Sequence, residues 1–317
     1  MSRGRAPWQL KWVTLVLVWG SSFLLMMVAL RGFTPWQIVA ARILLAALTL
    51  LGLLALTRGR LPRDRRVWGH LAVCGFFLGA LPFTCFVWAE TRIPSALAGM
   101  GNATTAIATV IAMAVLLSVP VTRRKAMGIV VGFVGVTLIA HPWDLLGRPD
   151  PLGVTAAVVG GAAYGVGWSY NRRFLAGADL GGLSQPAAVI LTAVPQILPV
   201  GVIAWASNRA SQPWPWTPMP GVSGPDLLRA VLALTALGVV NTGLAYMWNF
   251  DVVREAGPLV SASMTYLIPA VAVVLGVVVL NERLAAIQLV GFVLVLGAAY
   301  LVNRPAAHLS AAAGTRK

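Results

Sequence analysis

The stretch Pro258–Leu280 most constrains the fold, because it contains no charged residue and is long enough to cross a hydrocarbon core of about 30 Å as a helix. Pro269 near its middle lacks the amide hydrogen that would bond the carbonyl of Thr265. In lipid, that carbonyl needs a partner from another helix, a water or a ligand. Small and hydroxyl residues precede the proline: Ser261, Ser263, Thr265 and Tyr266. The segment predicts a polar, locally broken helix with Pro269 as a hinge, at the depth where transporters hold cargo.

A similar pattern occurs earlier, in residues 93–120. A shift of 163 residues aligns three pairs of positions: Ala106 with Pro269, Val119 with Glu282, and Gly128 with Gly291. Small and hydroxyl residues come before the centre of both stretches, and a second apolar segment follows each. This correspondence predicts an internal duplication.

The composition is that of a polytopic membrane protein. Hydrophobic residues make up 58% of the 317 positions, charged residues only 10%, and the mean hydropathy is +0.82, whereas soluble domains carry about 25% charged residues. The formal net charge of +15 is explained by basic cytoplasmic loops, which set membrane orientation. We therefore expect the lipid bilayer, and no nucleic acid, as a partner.

The apolar runs predict an all-α integral membrane protein with ten transmembrane helices. The predicted spans are 10–30, 35–57, 67–89, 93–118, 124–141, 152–172, 184–206, 227–249, 257–280 and 284–302. With the N-terminus inside, the cytoplasmic side holds seventeen Lys and Arg residues and the outer side six, and Arg42 remains within a span. This asymmetry predicts two cytoplasmic termini. Because five spans per half is odd, the two five-helix repeats must insert in inverted orientations.

Several segments in this order resemble a known family. They are WGSSF at 19–23, the start of the second span with Pro35 and Arg42, GNATTAIATVIAMAVLL at 101–117, and LIPAVAVVLGVVVLNER at 267–283. The chain resembles an EamA-type permease of the drug/metabolite transporter superfamily. The resemblance implies two inverted five-helix repeats, at 10–141 and 152–303, and the movement of small metabolites, often outward. Residues 304–317 then form a cytoplasmic tail.

Two positions depart from the family pattern, in which both repeats often carry proline and glutamate. The first repeat has Ala106 and Val119 there. We therefore expect a weaker break in the fourth helix than in the ninth.

No pattern in the sequence indicates catalysis or a bound cofactor or metal. HExxH and GxSxG are absent, and the two cysteines, Cys74 and Cys85, lack metal-site spacing. We therefore expect neither an enzyme nor a cofactor-binding protein.

All nine acidic residues fall at or near predicted span ends, which argues against simple proton coupling through a buried carboxylate. Glu282 is interpreted as a structural cap that pairs with Arg283 or the next helical turn. Facilitated diffusion, exchange and coupling through Glu282 stay open.

Arg42 is the one charge within a span, at a depth where insertion costs about 2.5–3.5 kcal/mol. Two interpretations have equal weight. Arg42 either snorkels or bonds helix-end carbonyls, or it lies in a cavity and meets an anionic group of the cargo.

Other polar and aromatic residues lie near the middle of predicted spans. Each alone is explained by helix-to-helix hydrogen bonds, but together they suggest an uncharged cavity with aromatic walls. With Arg42, the candidate substrate-binding residues are Trp19, Ser22, Asn102, Thr105, Tyr164, Trp168, Asn241, Tyr246 and Tyr266.

The sequence thus predicts a transporter in the bacterial inner membrane that works by alternating access. The expected cargo is an amino acid or similar zwitterion, and the expected direction is export. Efflux of drugs or toxic compounds is the alternative among transporters, and a non-transporting sensor or scaffold is the alternative from another class. The sequence leaves the oligomeric state open.

Overall fold

The computed structural model describes residues 7–140, 149–178, 180–207, 214–256 and 258–303, and these residues form helices and connecting turns without a β-strand. The predicted tail 304–317 lies outside the described residues. The helices are α1 Trp8–Ala29, α2 Pro35–Leu56, α3 Arg65–Ala89, α4 Ser95–Leu117, α5 Arg123–Ala140, α6 Pro151–Phe174, α7 Ser184–Ser207, α8 Gly224–Ala256, α9 Pro258–Leu280 and α10 Ala286–Asn303.

Seven of these helices, α1–α4 and α6–α8, are long and apolar enough to cross a membrane. Large apolar side chains are exposed on the outside of the bundle, as expected for a surface that contacts lipid. Examples are Leu48, Val115, Ile203, Val278 and Val293, each at least 65% exposed. The chain is therefore an all-helical, multi-pass membrane protein, while ten crossings in two inverted repeats stay a prediction.

Helix boundaries recur along the chain. The 163-residue shift carries Ser95–Leu117 onto Pro258–Leu280, and Arg123–Ala140 onto Ala286–Asn303. It also relates Ser118 to Asn281, which both end a helix with a left-handed backbone, at φ 53° and 55°. The same shift relates two π-helical stretches, Phe76–Ala80 inside α3 and Val239–Leu244 inside α8.

Helices from the two halves of the chain pack against each other. Helix α1 packs on α8 and α9, and correspondingly α6 packs on α3 and α4. Three further contacts join counterparts in the two halves, namely α2 with α7, α4 with α9, and α5 with α10. The core is therefore built largely from contacts between the halves.

The expectation about the helix breaks was wrong. Helix α9 continues through Pro269, whereas α4 is interrupted by one turn residue at Ala103. Just after it, the Thr104 hydroxyl donates to the carbonyls of Gly101 and Val158, at 2.8 and 3.1 Å. The Thr104 hydroxyl thus gives a hydrogen-bond partner to one carbonyl of α4 and to one of α6 at the break. The sequence comparison, which considered only proline, did not anticipate this break.

Helices α5 and α10 approach so closely at Gly135 and Gly291 that their backbones touch. A Cβ atom on Gly135 would lie 2.7 Å from the Gly291 carbonyl oxygen, and one on Gly291 would lie 2.6 Å from the Gly135 carbonyl oxygen. Small residues permit such approaches between membrane helices.

We predict that Gly135→Ala lowers the melting temperature of the purified protein by several degrees, because overpacking costs about 1–3 kcal/mol. Gly52→Ala is the matched control, since a Cβ at Gly52 in α2 meets nothing within 4 Å and alanine favours the helix. Thermal unfolding followed by tryptophan fluorescence measures both. Equal melting temperatures for the two variants would contradict the close contact.

Candidate functional site

A cavity of about 80 Å³ lies inside the helical bundle. Helices α1, α2, α3, α4, α6, α8 and α9 each contribute to its wall. Its lining residues are Trp19, Ser22, Phe23, Met26, Arg42, Phe83, Phe86, Asn102, Thr105, Tyr164, Trp168, Tyr246, Thr265 and Ile268. The volume holds a few waters and is smaller than the roughly 300–1,000 Å³ of pockets that enclose drug-sized ligands.

Arg42 is 4% exposed and lies in the cavity wall. Its Nε donates to Thr242 Oγ1 at 2.8 Å, its Nη1 donates to Met26 Sδ at 3.5 Å, and its guanidinium carbon is 3.9 Å from the centre of the Phe83 ring. No carboxylate of the described residues lies within 4.0 Å of it. The side chain therefore neither snorkels nor bonds helix-end carbonyls: its contacts are a hydroxyl, a thioether and an aromatic ring.

In the π-helical stretch of α3, one backbone carbonyl is available to bond a side chain of α8. Pro82 has no amide hydrogen, so the carbonyl of Leu78, four residues earlier, lacks its usual helical partner. The Tyr246 hydroxyl donates to that carbonyl. This bond fixes the Tyr246 ring at the cavity, with its centre 6.4 Å from that of Trp19.

The π-helical stretch in α8 supplies partners to α1 and α2. The Asn241 carbonyl accepts from Trp19 Nε1 at 3.1 Å, while the Asn241 side-chain amide donates to the carbonyl of Val18 and to Ser22 Oγ. Thr242, the next residue, is the partner of Arg42. The π-helical stretch of α8 thus orients polar side chains of α1, α2 and α8 itself.

Aromatic rings cover the side of the cavity formed by α3 and α6. Tyr164 stacks on Phe86 with ring centres 6.2 Å apart, and Phe83 meets the Tyr164 ring edge-on at 6.5 Å. Trp168, one turn after Tyr164, contacts Phe250 of α8 at 5.8 Å. This wall offers ring faces and edges to an apolar or aromatic part of a ligand.

The structure brings eight of the ten predicted substrate-binding residues together as cavity lining: Trp19, Ser22, Arg42, Asn102, Thr105, Tyr164, Trp168 and Tyr246. Asn241 lies just behind the lining, bonded to Ser22. The side chain of Tyr266 lies outside the described residues. Their role in binding stays a prediction.

The sequence analysis missed the apolar members of the lining, such as Phe23, Phe83 and Phe86. Phe83 and Phe86 follow Pro82 within one turn. A proline inside an apolar span was the signal that could have marked this region.

Two carboxylates at one end of the bundle also depart from expectation. Glu282 accepts from the backbone amides of Ser95 at 2.8 Å and Ala96 at 2.9 Å, and so caps α4 rather than its own next turn. Glu90, one residue beyond the end of α3, is 4% exposed. Its position at the end of a predicted span did not indicate this burial, which arises because the fold covers the end of α3.

The sequence profile of the EamA-like transporter family matches residues 7–141 and again residues 151–304. The chain belongs to the EamA-like transporter family. Since membership covers most of the chain, the protein is a membrane transporter by family, with a small molecule as the implied substrate and the lipid bilayer as its surroundings.

Relatives of this family member extend over nearly its whole length. The uncharacterized inner membrane transporter YedA of Escherichia coli strain K12 is 25% identical over 290 residues, covering 91% of this chain and 88% of YedA. Protein PecM of Dickeya dadantii strain 3937 is 23% identical, covering 90% and 89% of the two chains. A solved crystal structure of a protein superposes with a TM-score of 0.60 over 94% of this chain and 98% of its own, at 18% identity, which shows the fold.

We predict that Glu282→Ala in this EamA-family protein lowers the melting temperature by several degrees, because two amides at the start of α4 lose a charged acceptor across a contact between distant helices. Asp64→Ala is the control. Asp64 caps its own helix at an exposed site, accepting from the Arg66 amide at 2.8 Å. Thermal unfolding of the two variants should show the larger loss for Glu282→Ala; the reverse order would contradict the structural role of this cap.

Proposed function

We propose that this protein exports a small zwitterionic metabolite, an amino acid or a close relative, by alternating access. Arg42 carries the proposal. A buried guanidinium whose contacts are Thr242, Met26 and Phe83 still has donors for a planar anion, and arginine binds carboxylates through two parallel hydrogen bonds.

The rest of the lining fits the other parts of such a cargo. The rings of Tyr164, Trp168 and Phe86 offer apolar contact, while Asn102 and Ser22 add amide and hydroxyl groups. None of the described lining residues carries a carboxylate, so the site favours anionic or zwitterionic solutes over simple cations. A non-transporting sensor would not need polar residues from so many helices at one cavity.

The proposed architecture is ten transmembrane helices in two inverted repeats, with the cavity between them. Three observations support it: the family profile matches the chain twice, helix boundaries recur after 163 residues, and helix contacts are equivalent when the halves are exchanged. An odd number of crossings per repeat makes the two halves antiparallel.

In the proposed mechanism, two contacts between the halves would break alternately. At one end, Glu282 caps α4. At the other, Lys11 of α1 is buried and pairs with Asp251 at 3.1 Å and Glu255 at 2.8 Å, both on α8. Rocking of the halves would release one of these contacts while keeping the other.

The orientation proposed places both termini in the cytoplasm, and the Glu282 end outside. The seventeen-to-six distribution of basic residues supports it. The relative YedA is named an inner membrane transporter, which supports the same location for this protein. Reporter fusions at both termini test the orientation.

Proteoliposome transport tests the proposed function. The purified protein is reconstituted, and uptake of radiolabelled amino acids is measured with and without a pH gradient. Saturable uptake of at least one amino acid supports the proposal. Transport of drug-like compounds alone would replace it with toxic-compound efflux, and absence of all transport would favour a sensor or scaffold.

We predict that Arg42→Gln weakens transport of the best amino acid roughly tenfold or more, because a charge-assisted hydrogen bond contributes about 1.5–3 kcal/mol. The carboxamide of the same amino acid lacks the anionic group, so its transport should change far less. Competition assays with both solutes measure this difference. Equal losses for the two solutes would assign Arg42 a structural role.

We predict that Pro269→Ala reduces transport severalfold without lowering the melting temperature, because alanine restores a backbone amide in α9 and stiffens the proposed hinge. Pro195→Ala is the matched control, since Pro195 also lies inside a helix, α7. None of the described lining residues belongs to α7, whereas α9 contributes Thr265 and Ile268. Uptake assays compare the two variants. Full activity of Pro269→Ala would remove the hinge from the mechanism.

A further inference from the structure

Glu90 is a buried acid that the binding site does not explain. It is 4% exposed, and neither of its carboxyl oxygens has a hydrogen-bond partner among the described residues. The hydroxyl of Ser95, the first residue of α4, is also fully buried and has no hydrogen-bond partner among the described residues. An ionised carboxylate in such surroundings is costly unless it is neutralised.

Glu90 lies close in the chain to the cavity wall. Phe86, one helical turn before Glu90, lines the cavity. A Cβ atom on Gly276 would lie 2.5 Å from Glu282 Oε2 and 3.2 Å from Ser95 Oγ, so the cap and the unpartnered hydroxyl share one small volume. Glu90 thus follows a cavity-lining residue by one helical turn, and the Glu282 carboxylate of the cap is close enough to act on it electrostatically.

Two charged groups act on Glu90 from neighbouring elements, Glu282 after α9 and Arg42 on α2. Burial, and then the Glu282 carboxylate, raise the pKa of Glu90 well above its usual range, while the Arg42 charge opposes them. Arg92, two residues further on, pairs with Asp150 at 2.7 Å. Arg42 is thus the cation that favours the ionised form of Glu90.

We propose that Glu90 is a proton-binding site of this transporter and that it takes up a proton from solvent when an anionic group of the cargo reaches Arg42. This inference rests on the proposed function, because it assigns Arg42 to the cargo. An anion at Arg42 cancels the charge that stabilises ionised Glu90, so proton and cargo bind together. By linkage, protonation of Glu90 strengthens anion binding to the same extent.

The consequence is a pH dependence with a defined sign. Cargo affinity should rise as the pH falls through the titration of Glu90, by a factor in the range of about 5–150 that is typical of coupled sites. In Glu90→Gln, which resembles the protonated acid, this dependence should disappear. A carboxylate cargo would therefore cross with a proton, and its export would respond to a pH gradient.

Infrared difference spectroscopy of the full-length protein in lipid bilayers tests the proton site without any cargo. The carbonyl band of a protonated carboxyl group is followed against pH. Glu90→Gln should remove one titrating band and so assign it. Arg42→Gln imitates neutralisation by an anion and should raise the midpoint of that band by about one pH unit or more, a tenfold change in proton affinity.

Two further variants control for structural damage. Arg42→Lys keeps the positive charge and should leave the midpoint near that of the wild type. Glu282→Gln removes the repelling carboxylate and should lower the midpoint, the opposite direction to Arg42→Gln. Opposite shifts from two substitutions cannot both arise from loss of folding.

Two results would overturn the inference. Absence of a titrating band that depends on Glu90 would exclude the proton site, and an unchanged midpoint in Arg42→Gln would exclude its coupling to Arg42. Neither readout involves transport. Failure of the proposed function, seen as absence of amino acid uptake, is therefore distinguishable from failure of this inference.

Discussion

The structure depends on one constraint of the bilayer: polar groups removed from water must find partners within the protein. Regular helices satisfy most backbone groups internally, so the irregular positions decide where the chain is polar. The π-helical stretches of α3 and α8 are such positions. They hold the carbonyls of Leu78 and Asn241, which accept from Tyr246 and Trp19.

Arg42 extends the same argument to a charge. Its surroundings stabilise the guanidinium through Thr242 and the face of Phe83, yet supply no carboxylate from the described residues within ion-pair distance. A cation held in this way raises the affinity of its cavity for anions. The proposed function and the proposed role of Glu90 are two consequences of this one buried charge.

The contacts between the halves suggest how the ends of the bundle are controlled. One end relies on a carboxylate that caps a helix, and the other on a buried lysine between two carboxylates. These contacts differ chemically. The two contacts therefore need not have equal strength, even though the helices around them are arranged in equivalent pairs.

The sequence by itself determined the class of the protein. Long charge-free runs are typical of membrane helices, and hydropathy therefore located the helices to within a few residues, apart from the longer α8. It also placed Arg42 inside a span, and the mid-span polar residues pointed to one region, because each has few alternatives to facing the bundle interior.

Only the tertiary structure decided how those positions meet. Proline and glycine patterns did not reveal that α4 is interrupted at Ala103 while α9 continues through Pro269, since hydroxyl bonds between helices form only when α4 and α6 pack together. Glu90 lies at the end of a helix in the sequence, where water would normally reach it. Glu90 is nevertheless 4% exposed, and the residue before it packs on a distant helix, since a Cβ atom on Gly153 of α6 would lie 3.5 Å from the Ala89 carbonyl oxygen. No local pattern encodes such a contact between residues far apart in the chain.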